Sequence, residues 1–157
     1  MPNINRPVFE EGERPEGFRS KRARIGYELG TELIGCSQWK LPPGEAAYPY
    51  HFHYSDEELV ISGCPTLRNP DGTRELEEGE ILHFPVGEEG AHQIYNPTEE
   101  TVTLLAIASS GRPDVIVYPD TDKIGFGERL PKGGGLRAFF KREDGVDYFD
   151  GEQPPEK

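Results

Sequence analysis

Hydrophobic positions along the chain come in short alternating runs, separated by glycine, proline and acidic residues. Period-two alternation over four to eight residues is the signature of a half-buried strand. It predicts strands at Arg24–Leu29, Glu32–Leu41, Ala47–Tyr54, Glu58–Ser62, Thr66–Arg68, Ile81–Phe84, His92–Tyr95, Thr101–Ala108 and Val115–Tyr118. Turn chemistry separates them. Asn69-Pro70-Asp71-Gly72-Thr73 is the clearest hairpin, because proline presets φ and glycine accepts positive φ. No segment carries a convincing amphipathic helical period. Many short strands at close spacing predict an all-β fold, a sandwich or a closed barrel.

Composition narrows this picture. The 157 residues include 19 glycines and 15 prolines, a density that disfavours a helical bundle. The length suits one domain. Residues 1–23, rich in proline and charge, read as an N-terminal arm; 24–120 as the β domain; 121–157 as an extension with a solvated acidic tail. Within that tail, Tyr148 and Phe149 are candidates to tuck against the barrel, and Gly133-Gly134-Gly135 reads as a spacer.

Seventeen basic residues face 29 acidic ones, a net charge of −12. Such a field repels phosphate backbones and anionic lipid, so neither nucleic acid nor a membrane is an expected partner. No apolar run approaches the ~20 residues of a membrane span, and the N-terminus lacks a signal-peptide core. Cys36 and Cys64 stand alone and read as thiols in a reducing compartment. The expectation is a cytoplasmic protein with a small-molecule partner.

Candidate chemistry centres on four histidines. His51 and His53 flank Phe52 in a predicted strand, where residues i and i+2 share a face, ~7 Å apart along the backbone. Tyr50, Phe52 and Tyr54 then point into the opposite layer. Glu57 and Glu58 follow closely, and His92 lies downstream in Gly90-Ala91-His92. Three imidazoles and a carboxylate suit a first-row divalent ion with positions left open. HxH alone equally fits the polar side of a half-buried strand.

The two stretches that carry these residues resemble the paired motifs of the cupin superfamily. The first runs Gly44, His51, His53, Glu58, Gly63; the second runs Gly79, Pro85, Gly87, His92, Asn96. Three spacings depart from the family pattern. One residue is added before His51, two are added in Glu88-Glu89-Gly90-Ala91, and two are missing between Glu58 and Gly63. The last keeps strand parity, so Glu58 is favoured as the carboxylate, with Glu57 next and Asp56 third. The resemblance implies a double-stranded β-helix (a jelly-roll-like barrel), commonly a homodimer. It also implies one divalent metal per chain, Fe, Mn, Ni or Zn, on His51, His53, Glu58 and His92. Asn96 reads as structural, closing a turn with Pro97.

Cupins include dioxygenases, isomerases, decarboxylases and sensing domains, so the fold alone does not choose a reaction. The expected function is binding or conversion of a small organic molecule at the metal, by oxygenase or Lewis-acid chemistry, with oxygenation favoured. The alternative is a binding or sensing module without turnover. Other residues have local readings. His83 is expected to face a packed layer, and Arg68 is either a carboxylate-recognising residue in the barrel or a surface arginine. Trp39, Tyr48, Tyr50 and Phe52 read as core or interface aromatics, and Tyr118-Pro119-Asp120 as a lid or a plain connection. No hydrolase elbow, P-loop or dinucleotide fingerprint occurs.

Overall fold

A computed structural model describes residues 1–10, 12–110, 113–128 and 135–155. Residues 133 and 134 of the expected spacer, and 156–157 of the expected tail, lie outside these. Strands dominate, and every strand pairing is antiparallel. In chain order they are β1 (Lys21–Ala23), β2 (Ile34–Leu41), β3 (Phe52–His53), β4 (Glu58–Ile61), β5 (Thr66–Asn69) and β6 (Gly72–Glu75). The remainder are β7 (Ile81–Phe84), β8 (Gln93–Tyr95), β9 (Val102–Ser109), β10 (Asp114–Tyr118), β11 (Lys123–Gly127) and β12 (Arg137–Lys141).

One wall is the sheet β1-β2-β9-β4-β7. The other is made of β12-β11-β10-β3 and β6-β5-β8. Single bridges at Ala46↔Tyr95 and His51↔His92 stitch the segment leading into β3 onto β8, which joins the second wall into a continuous surface. The result is a jelly-roll-like barrel with very little helix. No described helix is long and apolar enough to cross a membrane.

Strand alternation decides what lies inside. Trp39 and Leu41 of β2, Val60 of β4, Leu82 and Phe84 of β7 and Leu104 of β9 face inward and meet Leu67, Leu76 and Ile94 from the other wall. Each buried side chain of this size contributes roughly 1.5–3 kcal/mol. The outward positions of the first wall leave Leu59 and Ile81 exposed.

Two expectations need correction. Arg24–Leu29 is not a strand: Ile25–Leu29 forms a short helix, capped by Gly30 in the left-handed region (φ 71°). The chain must reverse between β1 and β2, and one helical turn does this while the Thr31 hydroxyl bonds the Gly26 and Ile34 carbonyls. The strand that precedes it, β1, pairs with β2 of its own chain. Tyr148 and Phe149 pack on each other, ring centroids 4.8 Å apart, and stay exposed rather than tucking against the barrel.

β6 and β12 lack the alternation that marks the other strands. β6 is wholly exposed and polar, and β12 is an exposed edge. Their pairing follows from hairpin geometry, which a hydrophobic pattern does not record.

Candidate metal centre

His51 and His92 lie directly opposite each other on adjacent strand segments, exchanging backbone hydrogen bonds of 3.1 and 2.9 Å. Directly opposed residues put their side chains on one face, so the two imidazoles are brought together by register alone. His53 follows two positions on, with the same parity, where β3 pairs with β10. Glu58 arrives from the other wall: it faces inward on β4, opposite Ala108 of β9 and Phe84 of β7. Three imidazoles and one carboxylate thus meet across the barrel.

The separations are those of a shared centre. Nε2 of His51 lies 3.0 Å from Nε2 of His53. Oε2 of Glu58 lies 3.2 Å from Nε2 of His92 and 3.8 Å from Nε2 of His53. One donor atom each from His51, Glu58 and His92 fall within 4.8 Å of one another. The structure brings together all four residues that the sequence singles out.

The opposite nitrogens fix the rings. Nδ1 of His51 donates to the Pro49 carbonyl at 2.9 Å and Nδ1 of His92 to that of Gly90 at 2.8 Å. Nδ1 of His53 donates to the Asp114 carboxylate at 2.6 Å. With Nδ1–H committed in each case, a neutral ring presents only a lone pair at Nε2. Two such lone pairs 3.0 Å apart repel unless a cation lies between them. His92 Nε2 is buried and has no hydrogen-bond partner.

Electrostatics point the same way. Burial, then the neighbouring His92 and His53, lower the His51 pKa to about 3, so it stays a neutral ligand. For Glu58 burial pushes the pKa up, but His92, His53 and His51 outweigh it and hold the carboxyl well below its usual range. An ionised carboxylate beside a neutral His51 suits a divalent cation.

Aromatic packing holds the rings in place. Phe84 stacks on His92 with centroids 3.6 Å apart, and Tyr118 stacks on His51 at 5.8 Å. Tyr48 meets His51 and His92 edge-on. The lengthened Glu88-Glu89-Gly90-Ala91 loop has a use: it makes a 3₁₀ turn that presents the Gly90 carbonyl to His92. Only glycine fits there, because a Cβ at Gly90 would sit 1.8 Å from the Pro85 carbonyl oxygen.

Other candidates take different places. Glu57 is exposed, with its carboxylate 3.6 Å from His83 Nε2. His83 is correspondingly exposed on the outer face, beside Ile81 in parity, and does not face a packed layer. Asp56 is buried and belongs with Asp114 around the outer side of His53. Arg68 is held by Asp120 through two hydrogen bonds of 2.6 and 2.8 Å and lies over the Tyr50 ring. Tyr118-Pro119-Asp120 is the connection of the β10–β11 hairpin. Asn96 is structural, donating to the Leu41 and Glu100 carbonyls.

Asp114 escapes a reading based on hydrophobic runs, because such a reading starts its strand at Val115. The available signal is parity: Asp114, Ile116 and Tyr118 alternate along β10, and Ile116 pairs with His53.

Comparison with solved structures matches this arrangement to a known architecture. A sugar phosphate isomerase of the cupin superfamily from Silicibacter pomeroyi superposes with a TM-score of 0.78 at 21% identity, over 96% of this chain and 98% of that one. The barrel is a cupin barrel. A proposed sugar phosphate isomerase from Acidithiobacillus ferrooxidans gives a TM-score of 0.67 at 26% identity, covering 81% of this chain and 80% of its own. The polyketide cyclase RemF from Streptomyces resistomycificus gives 0.57 at 23% identity, covering 69% and 78%. No protein-family model matches the sequence, and no curated protein does. These likenesses show the fold and leave the reaction to the site itself.

Proposed function

We propose that this cupin is a divalent-metal enzyme acting on a small oxygen-rich molecule, with His51, His53, Glu58 and His92 as ligands. The observation that carries the reading is the pair of Nε2 atoms 3.0 Å apart, each on a ring whose Nδ1 is already hydrogen-bonded elsewhere, beside an ionised Glu58. When bound, the ion supplies Lewis acidity to a ligand oxygen, or oxygen chemistry if it is redox-active. The chain's own residues do the rest. Pro49, Gly90 and Asp114 hold the imidazole orientations. Phe84 and Tyr118 brace two of the rings, and the apolar layer around Trp39, Val60 and Leu104 closes the floor against water.

Lewis-acid action on a hydroxy-carbonyl compound is the favoured chemistry. It is supported by the polar groups that share the interior, Ser37 and Arg22, which suit hydroxyl and carboxyl groups. The Acidithiobacillus neighbour supports the same class.

The test begins with metal. Tag-free protein is stripped, reconstituted separately with Fe, Mn, Ni and Zn, and assayed for metal content. Near one ion per chain is expected, with His51→Ala and His92→Ala each losing most of it. Less than ~0.1 ion per chain in the wild type overturns the reading. Turnover of a panel of hydroxy-aldehydes and hydroxy-ketones, against oxygen uptake, then separates Lewis-acid enzyme, oxygenase and non-catalytic binder. A homodimer is part of the proposal, because Ile34, Leu59 and Ile81 leave apolar surface on the outer wall. A monomer in sedimentation equilibrium removes that part.

A further inference from the structure

Tyr48 lies three residues before His51, and its ring packs as the sequence suggests. It meets Trp39, His51 and His92 edge-to-face, at centroid distances of 5.9, 4.8 and 5.3 Å. Packing accounts for the ring but not for the hydroxyl. The Tyr48 Oη is buried and has no hydrogen-bond partner. Buried hydroxyls are almost always paired, and an unpaired one in a folded interior calls for an explanation.

Its surroundings supply one. Burial, then the Glu58 carboxylate, raise the phenol's pKa while the Arg22 guanidinium lowers it, so both charges lie near the hydroxyl. Arg22 reaches this wall because β1 pairs with β2, opposite Trp39, and its Nε donates to the Ser37 hydroxyl at 2.9 Å. Side chains along the adjoining strands are small. Gly35 and Ser37 of β2 pair with Ala108 and Ala106 of β9, and Ala108 pairs in turn with Glu58. Gly35 and Ala106 remain partly exposed although they face inward. Small side chains and partly exposed positions therefore lie beside Glu58 on the inward face of this wall.

We propose that Tyr48 is a catalytic residue: its Oη–H donates a hydrogen bond to an oxygen of the small molecule held at the His51–His53–Glu58–His92 centre. The site thereby selects ligands with a carboxylate or hydroxyl oxygen at that position, and Arg22 on the same wall favours an anionic one. This rests on the metal reading above.

Cobalt(II) is the probe, because its visible bands report each added ligand. Full-length wild-type and Tyr48→Phe proteins are loaded with cobalt, then titrated with glycolate and separately with imidazole, which offers no oxygen. Both proteins are expected to hold the same cobalt per chain and to bind imidazole alike. The variant is expected to bind glycolate at least ~10-fold more weakly, the loss of one hydrogen bond to a charged group. Equal glycolate affinity in the two proteins overturns the assignment, as does a wild-type cobalt spectrum that glycolate leaves unchanged. Loss of cobalt from Tyr48→Phe also overturns it, making the residue a support for the ligands. A wild type that holds no cobalt fails the metal reading itself and takes this inference with it, and the cobalt stoichiometry tells that failure from the others.

Discussion

His92 and Asn96 flank the same short strand, β8, and neither exposes any surface. Their parity is the same, with the fully buried Ile94 between them. Yet the protein treats them in opposite ways. Asn96 Nδ2 donates to the carbonyls of Leu41 and Glu100, at 2.8 and 2.7 Å. Its Oδ1 accepts from the Thr98 amide and hydroxyl, at 3.0 and 2.7 Å. Its bonding capacity is met by its own chain. His92 is bonded only at Nδ1, and its Nε2 is left bare beside Glu58. Burying a polar atom is tolerable when the fold pairs it, and costly otherwise. A bare atom at the foot of a satisfied strand marks where the fold leaves room for something else to bind.

The hardest test of this contrast is Asn96→Ala. It leaves two carbonyls and a backbone amide without partners, and the metal-free protein is expected to lose about 2–4 kcal/mol in urea unfolding. Metal affinity of the molecules that remain folded is expected to be unchanged. A large loss of affinity with little loss of stability would reverse the roles assigned to the two residues.

Asp114→Asn sharpens the comparison from the other end. The asparagine can still accept from His53 Nδ1, so shape is kept while the charge behind the ring is removed. Partners of this kind typically contribute 10–100-fold to metal affinity. A fall of that size in zinc affinity is expected by calorimetric titration, with the metal-free melting temperature no lower than wild type. Unchanged zinc affinity would make Asp114 a packing residue.

The same contrast explains what could be read from the chain. His51 and His53 share a strand, where parity alone predicts a shared face, and Glu58 follows across a turn, singled out by the motif resemblance. His92 enters through a motif resemblance, and the His51↔His92 register that brings it in depends on how remote segments pair. Asp114 is 61 residues from His53, and no local pattern connects them. Tyr48 is hidden for another reason. An aromatic in an apolar run reads as core, and the state of its hydroxyl appears only once the neighbours are placed. The all-β fold is legible from its alternating strands, and the barrel from the motif resemblance. The Ile25–Leu29 helix is not, because five residues between two strands are too few to show a helical period.

Per pH unit, the smallest expected effect is on acid stability. His51 has its pKa lowered from the ordinary 6.5 to about 3, chiefly by burial. Between those values the unfolded chain takes up a proton that the folded chain refuses, so falling pH favours unfolding. Glu58, held below its ordinary 4.5, acts in the same direction: its contribution is present above that value and is lost as pH falls towards its folded-state pKa. One such group changes stability by at most about 1.4 kcal/mol per pH unit. Asn96 does not titrate. Metal-free wild type and Asn96→Ala are therefore expected to give parallel curves of stability against pH, while His51→Gln gives a flatter one between pH 6.5 and 4. If His51→Gln runs parallel to the wild type instead, the imidazole cluster does not resist protonation, and the contrast between the two ends of β8 loses its electrostatic half.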